Sequence, residues 1–265
     1  MAGLSTAETT LADDAGVRTT RRGAVAHILI DRPRVMNALA PSTMDALVEA
    51  FAQAERDDAV RVIVVRGAGE RAFCAGVDLS VAQGPFIHPM KRAARNLHEV
   101  ILETEKPTIA AINGACVGGG CEIALACDLR IAVEGARFGQ TEAKVGMGGN
   151  FAAVLLPQLL PRALAMELLY TGRLFSAQEA LAWGLLNRVV AAGELDAAVD
   201  ALASTIAANA PLTVRKMKAT LIRSHGLPLA AALRLDVGPD PYGSQDRVEG
   251  ALAFKEKRPP VFRGI

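Results

Sequence analysis

Four short apolar runs, residues 25–30, 60–65, 107–112 and 128–133, are each followed by a stretch long enough for a turn and a helix, and that alternation decides most of what the chain can become. Strands joined by helical crossovers lie parallel, so the runs predict an α/β core around a largely parallel sheet, with ligand loops at the strand ends. The first run stops at Asp31-Arg32-Pro33, where proline has no N–H to continue a ladder. Ser42 or Thr43 is the expected N-cap of the helix that follows, because Met44, Leu47, Val48 and Phe51 recur at helical spacing. A further helix is expected over residues 86–102, and residues 73–79 read as an irregular loop. Past about Gly193 only helical patterns remain, over residues 195–208, 212–222 and 244–257. The expected organisation is a flexible leader over 1–22, a spiral core with the active site over 23–195, and a helical tail over 196–265.

With 51% hydrophobic and 22% charged residues, the 265-residue chain has ample material for a core. A net charge of +1 and no dense Lys/Arg stripe argue against a nucleic-acid surface. No run of about 18 uncharged apolar residues predicts a membrane span, and the first 22 residues lack the apolar run of a signal peptide. The protein is therefore expected to be soluble and cytoplasmic. Cys74, Cys116, Cys121 and Cys127 form no Cys-x-x-Cys pair, and the only histidines are His27, His88, His98 and His225. No metal site is expected, and the thiols read as buried and free. Met147 and Trp183 read as fillers of apolar gaps, Asp128 as a capping or pairing residue, and His88 and His98 as pocket candidates on the helix over 86–102.

Gly118-Gly119-Gly120 precedes a short apolar helix, and three glycines there admit either close packing on a strand or close approach of a ligand to backbone N–H groups. Glu122 lies three residues after Gly119, on the same helical side. A carboxylate at such a place costs free energy to bury unless it is paired, complements the dipole or is used. Phe138-Gly139-Gln140-Thr141-Glu142 supplies a second acid, so two carboxylates could flank one substrate.

In order and spacing, Ala75-Gly76-Val77-Asp78-Leu79, Asn113-Gly114 with Gly118-Gly119-Gly120-Cys121-Glu122, and Phe138-Gly139-Gln140-Thr141-Glu142 resemble the enoyl-CoA hydratase/isomerase (crotonase) family. The resemblance runs from about Ala24 to Phe262 and includes Asp31-Arg32-Pro33 and Asn37-Ala38-Leu39. It implies a spiral of ββα units with a C-terminal helical tail that trimerises, acyl-CoA thioesters as substrates, and trimers or dimers of trimers. By position it implies Val77 and Gly119 as the two oxyanion-hole N–H groups. Glu122 would be the base on the water adding at Cβ, and Glu142 the acid delivering a proton to Cα. Reversible syn hydration of a 2-enoyl-CoA to a 3-hydroxyacyl-CoA follows, with no metal or redox cofactor, coenzyme A being part of the substrate. An isomerase or other crotonase-type reaction is the alternative enzyme reading, and an acyl-CoA- or RNA-binding relative the non-catalytic one.

For the coenzyme, the resemblance points to Arg34, Ala38, Ala75, Asp78 and Leu79, and to Phe254 and Lys257 reaching the nucleotide end in a neighbouring subunit. The chain departs from the family at Gly148-Gly149-Asn150-Phe151-Ala152-Ala153, where hydratases commonly have Pro-Gly and small residues. Asn150 and Phe151 are thus expected to shape the acyl pocket away from a plain straight chain.

Overall fold

Valine and isoleucine fill the strands at the centre of the fold because those strands are covered on both faces, as parallel strands with helical crossovers must be. A computed structural model of the chain describes residues 7–11, 15–80 and 95–265. Strands β3 (Val25–Ile30), β4 (Val62–Gly67), β6 (Thr108–Ile112), β8 (Leu129–Val133) and β11 (Arg188–Val190) run parallel in that order. Val62, Ile63, Val65, Ile109, Ile112 and Ile131 are wholly buried. A second, four-stranded sheet has the order β10 (Phe175–Ser176), β9 (Arg137–Gly139), β7 (Ala115–Val117), β5 (Ala72–Cys74). The chain alternates between the sheets: β4 then β5, β6 then β7, β8 then β9. Helices α2 (Leu97–Glu103) and α3 (Gly119–Ala126) follow the first two pairs, so the core is the expected spiral of ββα units.

Three expectations change. Val17–Arg22, β2, pairs antiparallel with β3 from Val17↔Ile30 to Arg22↔Val25, and β1 (Ala7–Leu11) pairs with β2, so the stretch 1–22 is not a leader throughout. Its Thr and Arg residues hide a strand because only Val17, with 1% of its surface exposed, is fully buried along β2. Helix α1 (Pro41–Arg56) starts two residues early, capped by Ala40 with proline at its first position. Thr43 is spent elsewhere, its hydroxyl donating to the Ala15 carbonyl at 2.7 Å. Within the segment 73–79, residues 73 and 74 belong to β5, a strand too short to show a period.

Helix α2 begins after Asn96, whose side chain accepts from the Glu99 N–H while Glu99 accepts from the Asn96 N–H. The earlier part of the helix expected over 86–102, His88 included, falls largely outside the described residues. Helices α4 (Glu142–Val145), α5 (Asn150–Leu159), α6 (Arg162–Thr171) and α7 (Ala177–Ala182) lead from β9 to β11. In the tail, α8 (Leu195–Ala207) packs against β3, β4, β6 and β8, whereas α9 (Pro211–Ser224), α10 (Leu229–Ala232) and α11 (Gln245–Glu256) carry many exposed apolar side chains. Among the described residues no single helix is long and apolar enough to cross a membrane. All four cysteines are buried and free, as expected, and burial pushes the Cys74 and Cys127 thiols up to about 12. Asp128 pairs with Lys218 at 2.7 Å and accepts from Thr108, and Trp183 packs on Phe175 and Arg173.

Candidate active site

The loop after β5 is held on one side by a single parallel bridge, Leu39 opposite Val77. Leu39 donates to the Gly76 carbonyl at 2.8 Å and its own carbonyl accepts from the Asp78 N–H at 3.0 Å. In a parallel bridge the residue opposite turns its own N–H and C=O the other way, so the Val77 N–H points away from Leu39. Gly76 sits at φ 92, where a side chain would be strained, and a Cβ there would lie 3.3 Å from the Gly119 nitrogen. The loop and the start of α3 therefore meet backbone to backbone. A Cβ built on Gly119 would lie 3.9 Å from the Val77 nitrogen. Gly119 is the first residue of α3, so its N–H has no partner inside the helix. The structure thus brings two main-chain donors together, with the partial positive charge of the helix behind one of them.

Gly120 explains the third glycine: a Cβ there would stand 2.2 Å from the Cys74 carbonyl oxygen. Packing and donor exposure are both served by the triplet, one by Gly120 and the other by Gly119. Helix α3 packs on α2, α5 and strands β5, β6 and β7, and every one of its residues is buried, Glu122 among them.

Glu122 is 9% exposed, and Oε1 accepts from the Ala152 N–H at 2.9 Å. Burial raises its pKa above the ordinary carboxylate range, and hydrogen bonds from the backbone of Ala152 and Phe151 offset part of that rise. Glu142, the first residue of α4, is also raised: burial is the main cause, a bond from its own backbone opposes it, and the charge of Glu122 adds to it. The charge of Glu122 thus reaches Glu142 across the site. Gln140 is 1% exposed, and with its amide turned to donate, its nitrogen lies 3.1 Å from both carboxylate oxygens of Glu142. The opposite orientation would set oxygen against oxygen.

Phe151 stacks on His98 with ring centroids 4.7 Å apart, and the His98 Nε2 lies 3.6 Å from Oε2 of Glu122. The imidazole is pushed down to about 4, by burial first, against hydrogen bonding to the Gly119 backbone. It is neutral at pH 7, so this contact is no ion pair. His98, expected as a pocket candidate, thus lies at the site, against both Glu122 and Phe151. Gln140 was within reach of the sequence, since it lies inside the Phe138–Glu142 motif, two residues before the second acid.

The residues expected at the coenzyme are placed less uniformly. Ala38 and Ala75 lie on the segments that support the Val77 loop, the Ala38 carbonyl accepting from Arg32 and the Ala75 N–H donating to the Met36 carbonyl. The Asp78 carboxylate is taken by Arg32 at 3.0 Å and by Ser80, which hold its pKa low, Ser80 contributing most. The Asp78 side chain therefore braces the loop. Leu79 and Arg34 are exposed nearby in sequence. Phe254, 87% exposed, and Lys257 lie on or just after α11, and among the described residues no hydrogen bond or ion pair joins α11 to the site. No three His, Cys, Asp or Glu side chains among the described residues converge on a point that a metal could occupy.

The spiral, with two main-chain donors at a helix start and two acids near them, defines a class of α/β protein with one candidate site, and comparison with known proteins narrows it. The enoyl-CoA hydratase/isomerase family matches residues 20–264. The chain is 40% identical over 248 residues to (E)-benzylidenesuccinyl-CoA hydratase of Thauera aromatica, covering 91% of this chain and 96% of that one. It is 41% identical over 255 residues to carnitinyl-CoA dehydratase of Proteus mirabilis, covering 92% and 97%. An enoyl-CoA hydratase structure from Bacillus anthracis superposes with a TM-score of 0.87 at 34% identity, covering 94% of this chain and 100% of that chain. One from Mycobacterium tuberculosis gives 0.86 at 34% identity, covering 95% and 100%. The chain belongs to the enoyl-CoA hydratase/isomerase (crotonase) family.

Proposed function

We propose that this protein is an acyl-CoA hydratase that adds water reversibly, in the syn sense, to a 2-enoyl-CoA, giving a 3-hydroxyacyl-CoA. The observation that carries the reading is the placing of two carboxylates at the start of one helix, Glu122 on its first turn and Glu142 with Oε1 3.3 Å from where a Gly118 Cβ would stand, beside the converging N–H groups of Val77 and Gly119. In the forward direction Glu122 is ionised and Glu142 protonated. The water oxygen bonds to Cβ while Glu122 takes one of its protons, and the double-bond electron pair moves toward the thioester oxygen. Glu142 then returns a proton to Cα as the carbonyl reforms. No electrons leave the substrate, so the step calls for no redox group. The negative charge developing on the thioester oxygen meets donors already in place, which favour the transition state over the ground state.

The acyl group is proposed to differ from a plain chain. Phe151, stacked on His98, sets an aromatic wall beside Glu122, and the two curated relatives above are named for benzylidenesuccinyl and carnitinyl thioesters. Arg34, Ala38, Ala75 and Leu79, with Phe254 and Lys257 from a neighbouring subunit, are proposed to hold the coenzyme.

The test is turnover of crotonyl-CoA and of branched and aromatic enoyl-CoAs, followed by loss of enoyl absorbance and by mass gain of one water. Hydration of at least one is expected. No hydration across the panel would refute the reading, and a product with only a moved double bond would make the protein an isomerase. Glu122→Gln and Glu142→Gln are each expected to lower kcat by roughly 10²–10⁴-fold, the usual worth of a positioned acid or base.

A further inference from the structure

Gly76 precedes the Val77 donor at φ 92, a conformation that glycine adopts without strain. The Gly76 carbonyl and the Val77 N–H belong to one planar peptide and point in opposite directions. The aim of the donor is therefore set by the 2.8 Å bond from the Leu39 N–H to the Gly76 carbonyl, and so by how the Leu39 segment is held against the loop. The backbone supplies two further ties, from the Ala75 N–H to the Met36 carbonyl and from the Asp78 N–H to the Leu39 carbonyl. Leu79 and Ser80, next along the chain, are exposed.

Arg32 closes this seam with its side chain. Nη1 donates to the carbonyl of Ala38, the residue before Leu39, and Nη2 donates to Oδ2 of Asp78, the residue after Val77, at 3.0 Å. One rigid guanidinium fork thus spans the two segments at their bridge. The arginine is itself anchored: its N–H donates to Oδ1 of Asn37 at 3.0 Å, and its carbonyl accepts from the Asn37 N–H at 2.9 Å. Asn37 is wholly buried and donates to the carbonyls of Ala68 and Ala72. Ser80 holds the other Asp78 oxygen at 2.6 Å, so both oxygens are engaged. The side chains of Arg32 and Asp78 are 23% and 9% exposed, and a pair this far out of water loses more when one partner goes than a surface pair does.

We propose that Arg32 is a positioning residue for the reaction: by joining the Ala38 carbonyl to the Asp78 carboxylate, it holds the Gly76–Val77 peptide with its N–H aimed at the thioester oxygen. This rests on the reading of Val77 and Gly119 as the oxyanion donors. Arg32 exchanges no proton and touches no reacting atom. A donor that has swung aside loses most where the charge is greatest, in the transition state, so the loss falls on kcat more than on KM.

The experiment compares wild type with Arg32→Met, which keeps the stem and removes the fork, Arg32→Lys, which keeps a charge that reaches one partner, and Asp78→Asn, which leaves Arg32 on Ala38. Each is checked for folding by circular dichroism and assayed for hydration of the enoyl-CoA that wild type turns over best. Each is also assayed for exchange of the Cα hydrogen of a saturated acyl-CoA in D2O, which passes through the enolate but needs no water at Cβ. In Arg32→Met both rates are expected to fall together by roughly tenfold, part of the roughly 10²–10³-fold that one oxyanion donor is worth, with KM little changed. Arg32→Lys is expected to recover part of both. The double variant Arg32→Met with Asp78→Asn is expected to be no worse than the worse of its singles. A folded Arg32→Met with wild-type rates, or a loss carried by KM alone, would overturn the proposal and leave the hydratase reading standing. Hydration falling without exchange overturns it too, since the enolate would then be held as before. Should Arg32→Met not fold, Asp78→Asn carries the same expectations. A wild type that exchanges the Cα hydrogen but hydrates nothing sinks the hydratase reading and leaves this proposal to stand or fall on exchange; one that does neither sinks both.

Discussion

Glu122 and Glu142 leave water on folding, and each keeps its proton more tightly than it would in the unfolded chain. Two outcomes follow at the level of single residues. A base must be ionised to act, so kcat/KM for hydration should fall as pH drops through a value above the ordinary carboxylate range, and a pH–rate profile on the best enoyl-CoA reads where that limb lies. The folded protein binds these protons more tightly than the unfolded one, so their contribution to stability falls as pH rises from the ordinary carboxylate pKa through the raised one. Glu122→Gln, which cannot ionise and still accepts from Ala152, should therefore melt above wild type at neutral pH. The advantage should vanish in acid below the ordinary carboxylate range. A melting series against pH checks it, and a variant less stable than wild type at neutral pH would contradict the burial argument.

At the level of the elements, α3 is fixed by glycines with different tasks. Gly120→Ala sets a methyl against the Cys74 carbonyl, which belongs to a strand and cannot swing aside, so a loss of about 1–3 kcal/mol or more is expected. Gly135→Ala, where a Cβ meets nothing within 4 Å, is the control and should change little by denaturant melting. The same contrast shows what can be read from a sequence. The parallel strands were legible because burial on both faces demands unbroken apolar runs such as residues 62–65. Strand β2 was not, since an edge ribbon with one wet face tolerates Thr and Arg. Strands β5 and β7, three residues each, were too short to carry a period, although they form the sheet that aims the Val77 loop. In the site, Gly119, Glu122 and Glu142 stood out from their own spacing, whereas Val77 was indicated only by the family resemblance. The facing of His98 on Glu122 was not, because it depends on how α2 crosses α3.

Taken whole, the molecule leaves many large apolar side chains in water along its tail. Met217, Leu221, Leu229, Leu233 and Phe254 are all more than half exposed there. The tail is nonetheless moored: Arg61 donates to the carbonyls of Ala207 and Phe262, and Lys218 reaches Asp128. A moored surface of this kind supports assembly through the tail, and sedimentation of the purified protein is expected to give a trimer or a pair of trimers. A monomer at micromolar concentration would contradict it.

The bridge between Leu39 and Val77 also bears on how the chain tolerates variation. Because the donor at position 77 is a peptide N–H, it survives nearly any replacement of the side chain. In a saturation library selected for turnover, position 77 should accept many amino acids except proline, while Gly76, Gly120 and the Arg32–Asp78 pair that hold the peptide in place should accept few. A site written in the main chain leaves its signature in the residues that support it, and a lineage can exchange the acids around it without rebuilding the two peptide donors.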